Sequence, residues 1–157
     1  MFDILIYLFE TYVHSESNRS IDYDSLTNDL FDIGFQQKDI YNALRWLKNL
    51  SSYKKNIISS INLSSNQIST RIYTKEESFK LNVDCRGFIL VLEQLEILTL
   101  DTREMIIERI MELEINELNL EDLKWIILIV LFNVPGCKSM YKKLENLLFN
   151  FKEEVIH

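Results

Sequence analysis

The longest apolar run of this chain lies within NLEDLKWIILIVLFNVPG at residues 119–136. Asn119 comes at the start of this stretch, and asparagine is a residue type that commonly caps the N-termini of helices. Trp125 to Phe132 is an apolar run of eight residues, far short of the roughly 20 that span a bilayer, so it predicts a helix buried on nearly all sides. Pro135 and Gly136 end this helix, since proline cannot continue the hydrogen-bond ladder and glycine tolerates the turn.

Helical spacing of apolar residues extends from this stretch towards both ends of the chain. The C-terminal half predicts a short helix starting at Thr74, then helices over about 84–98, 99 or 101–113, 119–133 and 138–151. The N-terminal half predicts helices over about 2–15, 25–33 and 38–50. With one proline and three glycines in 157 residues, few breakers interrupt them. We therefore expect a mainly α protein.

The second and third predicted helices have the pattern of a helix-turn-helix unit. Asp22 or Asp24 can cap the first of them, and Gly34 suits the left-handed turn that ends it. The inner face of the next helix consists of Ile40, Ala43, Leu44, Leu47 and Leu50.

Behind this unit, β-branched residues predict a small β-hairpin over 57–63 and 68–73, turning at 64–66, as in a winged helix. We expect an N-terminal helix-turn-helix-like lobe at residues 1–73 and a C-terminal helical bundle at residues 74–157, together forming one compact unit.

Composition narrows the cellular setting. The formal charge of −7 repels nucleic acid and anionic membranes at long range. The two cysteines form no C-x-x-C motif, which favours a reducing cytoplasm over a secreted disulfide framework. The apolar start of the chain lacks a positive region and a small-residue cleavage site, so no signal peptide is predicted. We expect a cytoplasmic protein with no membrane partner.

Few residues could carry catalysis. The two histidines are His14 and the terminal His157, and neither is close in sequence to a cysteine. Cys85 lies beside Arg86, whose charge could lower the thiol pKa, although a small buried hydrophobe is the commoner role of cysteine. The sequence contains no phosphate-binding loop and no zinc-protease motif. We predict no catalytic residues, no cofactor and no small-molecule substrate, with an enzyme that relies on Cys85 or acidic residues as a minor hypothesis.

Three carboxylates, Glu104, Glu108 and Glu112, share one helix face because they are four residues apart. This spacing is compatible with an acidic docking stripe or a weak cation site. Arg103 and Arg109 lie nearby and can offset the charge, so a solvated helix face is the simpler interpretation. We predict no metal site.

The strongest candidate binding surface is on the third helix. Lys38, Tyr41, Arg45 and Lys48 are spaced three, four and three residues apart and form one stripe opposite the apolar face; we call these four residues the basic face. A basic second helix of a helix-turn-helix is how many such proteins bind nucleic acid. Two observations weaken this reading. The preceding helix carries four aspartates that can complement the charge, namely Asp22, Asp24, Asp29 and Asp32. A composition with 20 Ile, 13 Asn and one Ala indicates AT-rich codons, which also favour lysine.

Aromatic residues are numerous, with nine Phe, seven Tyr and two Trp. Apolar spacing accounts for most of them, so core positions are the preferred interpretation, and an exposed patch for a protein partner is the alternative.

Several stretches across the whole chain resemble the bacterial Smg family. They include the start MFDILIYLFETY, DIYNALRWL at 39–47, RIYT at 71–74, CRGF at 85–88, LEQL at 92–95, TREMIIER at 102–109, and LEDLKW at 120–125 continuing to NVPG at 133–136. The resemblance implies a bacterial, cytoplasmic protein of unknown function, with no catalytic residues to carry over. It also implies that the gene of this protein lies near genes for peptide deformylation, initiator-tRNA formylation, tRNA modification and DNA processing.

We therefore expect a non-enzymatic protein-interaction or adaptor protein linked to translation or nucleic-acid processing, with a protein as its partner. The alternative is a protein that binds RNA or DNA through the basic face.

Overall fold

The chain is mainly α-helical, as the sequence predicts. The computed structural model describes residues 1–13, 22–52 and 71–156. Within these ranges the structure contains eight helices, one isolated parallel β-bridge between Leu81 and Leu118, and no β-strand. The predicted β-hairpin lies outside the described residues except for 71–73, which belong to no strand.

The chain divides into two compact units, Met1–Ser52 and Tyr53–His157. The predicted lobe boundary after residue 73 stays a prediction, because residues 53–70 lie outside the described residues.

Three helices form the first unit: α1 (Phe2–Val13), α2 (Tyr23–Ile33) and α3 (Gln37–Ser51). Both α1 and α2 pack against α3. Asp22 caps α2 by accepting a hydrogen bond from the amide of Asp24 at 3.1 Å. Gly34 ends α2 with a φ of 112°, a left-handed conformation that other residues adopt only with strain. The turn from α2 to α3 is therefore where the sequence places it.

Many apolar side chains of the first unit point inward at helical spacing, whereas Tyr7, Tyr23, Phe31 and Ile33 are exposed. Those that are buried are Ile4, Leu5, Leu8, Leu26, Leu30, Ile40, Ala43, Leu44, Trp46 and Leu50. On α3 the predicted inner face is correct except at one position. Leu47 is only half-buried, and Trp46 occupies the core instead.

The second unit consists of α4 (Lys75–Lys80), α5 (Val83–Gln94), α6 (Leu100–Met111), α7 (Leu120–Asn133) and α8 (Lys138–Ile156). Helix α7 is its centre and packs against α5, α6 and α8. Seven of its residues are buried, on every side of the helix, as the apolar run at 125–132 predicts. Among the described residues, no helix is both long enough and apolar enough to cross a membrane.

Side-chain caps start four helices of the second unit. Thr74, Asn82, Thr99 and Asn119 each accept a hydrogen bond from the amide three residues later, at 2.7–3.2 Å. Thr74 and Glu77 have the spacing of a capping box, but only the Thr74 half forms, because the Glu77 side chain pairs with Arg71 instead. Asp101 lies inside α6 rather than at its start, since Thr99 is the cap.

Helix α5 ends four residues earlier than predicted. Gln94 is its last residue, and Glu96 adopts a positive φ of 58°. The amides of Ile97 and Leu98 both donate to the carbonyl oxygen of Leu92, at 2.9 and 3.2 Å. This turn closes the helix without a glycine, so the usual local signal for a helix end is missing from the sequence.

Candidate functional site

All four residues of the basic face are exposed on α3. Tyr41 has 65% of its surface accessible, which is high for an aromatic side chain. The apolar residues of α3 face α1 and α2, so the basic face lies on the side of the helix turned away from the core of the first unit. The structure thus places Lys38, Tyr41, Arg45 and Lys48 together on one accessible surface.

The charges of the basic face are not used inside the described part of the first unit. Within residues 1–13 and 22–52, no ion pair joins Lys38, Arg45 or Lys48 to a carboxylate. The four aspartates of α2 are exposed as well. The interpretation that α2 neutralises α3 by close ion pairs therefore has no support in this part of the structure. Lys54 and Lys55 lie outside the described residues.

The first unit as a whole is acidic despite this face. Residues 1–52 contain eight Asp and Glu against four Lys and Arg. A nucleic acid approaching α3 would meet a negative long-range field from the rest of the unit. The same field repels a protein partner of mixed charge less strongly, because such a partner can place its acidic side chains against the basic face only.

Glu104, Glu108 and Glu112, the acidic stripe whose simplest interpretation from the sequence is a solvated helix face, pair with arginines. Glu104 pairs with Arg71 and with Arg103 at 2.9 Å, and both Glu108 and Glu112 pair with Arg109, at 3.3 and 3.1 Å. Among the described residues, no group of three His, Cys, Asp or Glu could hold a metal ion. The stripe is consequently part of the ion-pair pattern of α6.

Cys85 is fully buried, with its Sγ donating to the carbonyl oxygen of Leu118 at 3.4 Å. Burial raises the pKa of the thiol, which is opposite to the effect that a neighbouring arginine could produce. Arg86 uses its Nε to donate to the carbonyl oxygen of Leu81 at 3.1 Å. The geometry gives Cys85 the surroundings of a structural residue rather than of a nucleophile. His14 and His157 lie outside the described residues.

Sequence reasoning missed a group of charged residues in the second unit, which we call the arginine cluster: Arg71, Glu77, Glu93, Arg103 and Glu104. Arg71 pairs with Glu77 and Glu104, while Arg103 pairs with Glu93 and Glu104, so Glu104 joins the two arginines. These hydrogen bonds hold the pKa of the Glu104 carboxyl below its usual range.

Tyr73 lies beside the arginine cluster. Its ring centroid is 4.7 Å from the Arg71 guanidinium carbon and 5.8 Å from that of Arg86. The charges of the cluster are paired, and Glu104 is its only widely exposed member. The ion pairs of Arg71 connect residue 71 to α4 and α6, and the pair between Arg103 and Glu93 connects α6 to α5. The signal available in the sequence was the RIYT, LEQL and TREMIIER stretches, which contain four residues of the arginine cluster: Arg71, Glu93, Arg103 and Glu104.

Large apolar side chains are exposed along α4 and α5. Phe79, Val83, Leu90 and Val91 each have 40% or more of their surface accessible. Several aromatic residues on other helices are also exposed: Tyr7, Tyr23, Phe31, Phe132 and Phe149.

Comparison with known proteins identifies the family. A family model described as "Protein of unknown function (DUF494)" matches residues 1–157. The chain is 83% identical to Protein Smg of Buchnera aphidicola subsp. Acyrthosiphon pisum (strain 5A), over 100% of both chains. The chain belongs to the Smg family.

Membership extends to more distant Smg proteins. The chain is 72% identical to Protein Smg of Buchnera aphidicola subsp. Schizaphis graminum (strain Sg) and 52% identical to Protein Smg of Escherichia coli O1:K1 / APEC, again over 100% of each chain. No solved structure matches the chain. The resemblance seen in the sequence stretches is thereby confirmed, and the family description assigns no activity to the Smg fold.

Proposed function

We propose that this member of the Smg family is a non-enzymatic cytoplasmic adaptor that binds a protein partner through the basic face of α3. The observation that carries the proposal is the exposure of Lys38, Tyr41, Arg45 and Lys48 along one side of the helix. Three cations share this side of the helix with one exposed aromatic ring, and arginine and tyrosine are among the residues that contribute most to protein interfaces. The link to translation or nucleic-acid processing rests on the family resemblance alone.

Charge and spacing favour a protein over a nucleic acid at this face. The 3-4-3 spacing keeps four side chains along the seam that a second helix would occupy in a left-handed pair. The acidic excess of residues 1–52 opposes a polyanion that extends beyond α3. The partner that suits this face is therefore a helix carrying acidic side chains.

A pull-down from native lysate tests the proposal. Tagged chain is used as wild type, as Arg45→Glu/Lys48→Glu, and as Lys142→Glu/Lys143→Glu, a control that reverses two exposed lysines of α8. Each lysate is divided into nuclease-treated and untreated halves and the captured proteins are identified by mass spectrometry. We expect a protein that survives nuclease, is retained by the control variant and is lost from the Arg45/Lys48 variant.

Binding of RNA or DNA through the basic face is the second candidate, favoured by the same exposed cations. It predicts that captured proteins disappear with nuclease, and that labelled RNA or DNA binds the purified chain with an affinity that falls steeply with salt. Weakening of that binding in the Arg45/Lys48 variant would put this candidate first. Turnover of a small substrate that is abolished by changing one polar residue would contradict both candidates.

A further inference from the structure

Helix α2 carries an exposed face that matches the basic face in spacing and opposes it in charge. Asp22, Ser25, Asp29 and Asp32 are spaced three, four and three residues apart, and all four are exposed. We call these residues the acidic face. Asp22 lies at the N-cap of α2 and the other three within the helix. The basic face has the same 3-4-3 spacing on α3.

We propose that the basic face of one copy of this chain docks on the acidic face of a second copy, so that the protein forms a two-fold dimer. The proposal rests on the proposed function, because it takes the basic face as a protein-docking surface, and it names the partner.

The two faces match residue by residue when the helices run parallel. Lys38 then lies opposite Asp22, Arg45 opposite Asp29, and Lys48 opposite Asp32. Tyr41 lies opposite Ser25, a small residue that leaves room for the ring. Because both faces repeat every 3.5 residues on average, the pairing stays in register along the whole contact.

Two-fold symmetry makes this contact twice. In an isologous dimer, α3 of the first copy meets α2 of the second, and α2 of the first meets α3 of the second. The six ion pairs that result use charges that have no ion-pair partner within residues 1–13 and 22–52. The acidic face also explains why a second copy suits α3 better than a nucleic acid does. The acidic face attracts the basic face of a second copy, whereas it repels the phosphates of a nucleic acid.

Charge reversal in solution tests the dimer. The full chain is examined by sedimentation equilibrium as wild type, with two charges of the basic face reversed (Arg45→Glu/Lys48→Glu), with two charges of the acidic face reversed (Asp29→Lys/Asp32→Lys), and with all four changes together. Asp22 is left unchanged because it caps α2. Circular dichroism and thermal unfolding check that each variant is folded, and Lys142→Glu/Lys143→Glu serves as the control.

Each two-charge variant turns four of the six ion pairs into repulsions, so we expect the dimer dissociation constant to rise by roughly a hundredfold or more. The four-charge variant restores opposite charges across both contacts and should regain the wild-type dissociation constant. An equimolar mixture of the two reversed variants should form a heterodimer. Raising the salt from about 50 mM to about 500 mM should weaken the wild-type dimer roughly tenfold.

Three outcomes would overturn the dimer. The first is a wild-type chain that stays monomeric at roughly 200 µM, because any dimer would then have a dissociation constant too high for a functional interface. The second is a dimer whose affinity is unchanged by charge reversal. The third is a four-charge variant that is folded but does not recover association. If the wild type is monomeric while the Arg45/Lys48 variant still loses a nuclease-resistant partner, the dimer fails and the proposed function stands.

Discussion

Removing Arg103 should destabilise the second unit more than any single exposed substitution. The Arg103 side chain is 9% exposed and Glu93 is 17% exposed. Nη1 of Arg103 donates to both carboxylate oxygens of Glu93, at 3.1 and 3.0 Å, while Nε and Nη2 donate to Glu104 at 3.1 and 2.9 Å. Arg103→Met keeps most of the apolar stem and removes all four hydrogen bonds.

The expected cost follows from which carboxylate loses its partner. Breaking a buried ion pair by deleting one member costs about 3–5 kcal/mol, since the other charge stays buried. Glu104 is 48% exposed and keeps Arg71, so its share of the loss is small. We therefore expect Arg103→Met to lower the free energy of unfolding by about 2–4 kcal/mol, mostly through Glu93.

Urea unfolding followed by circular dichroism at 222 nm measures this change. The double variant Arg103→Met/Glu93→Gln removes the stranded charge and should recover about 1–2 kcal/mol. Lys142→Met, an exposed control on α8, should change stability by less than about 0.5 kcal/mol. A loss below about 1 kcal/mol for Arg103→Met, or a further loss on adding Glu93→Gln, would refute the reasoning.

Three further predictions concern the second unit. The Nζ of Lys80 donates to the carbonyl oxygens of Ile110, Met111 and Leu113 at 3.4, 3.2 and 2.6 Å. Lys80→Met should therefore lower the free energy of unfolding by about 2 kcal/mol and increase hydrogen exchange at the end of α6. Unchanged exchange there would contradict this role of Lys80. Because the hydrogen bond from Arg71 lowers the pKa of Glu104 below 4.5, the stability it contributes is present above pH 4.5 and is lost as pH falls through the lower, folded-state pKa. Thermal unfolding of Glu104→Gln from pH 6 to 3 should accordingly show a shallower loss than the wild type, and parallel curves would count against the pair. Buried Cys85 should resist alkylation at neutral pH and react after urea unfolding, whereas rapid labelling of the native chain would support the hypothesis of a cysteine enzyme.

Local signals in the sequence determined most of the helices. Asp22 and Gly34 mark the two ends of α2, and Asn119 and Pro135 mark the two ends of α7, because caps and breakers act within a few residues of where they lie. Apolar periodicity identified the inner face of α3 and the buried α7. The same periodicity placed the basic face on one side of α3, since helical geometry alone sets which residues share a face.

Only the tertiary structure decided which charges meet and where α5 stops. Arg71 and Glu104 are 33 residues apart, as are Lys80 and Leu113, and no local pattern pairs them. The end of α5 at Gln94 depends on Leu92 accepting two amides through a turn with positive φ at Glu96, a position without glycine. Such contacts depend on how whole helices pack against one another, and periodicity says only which face of each helix is apolar. For the same reason, the lack of ion pairs between the basic face and α2 in the described part of the first unit could be read only from the folded chain.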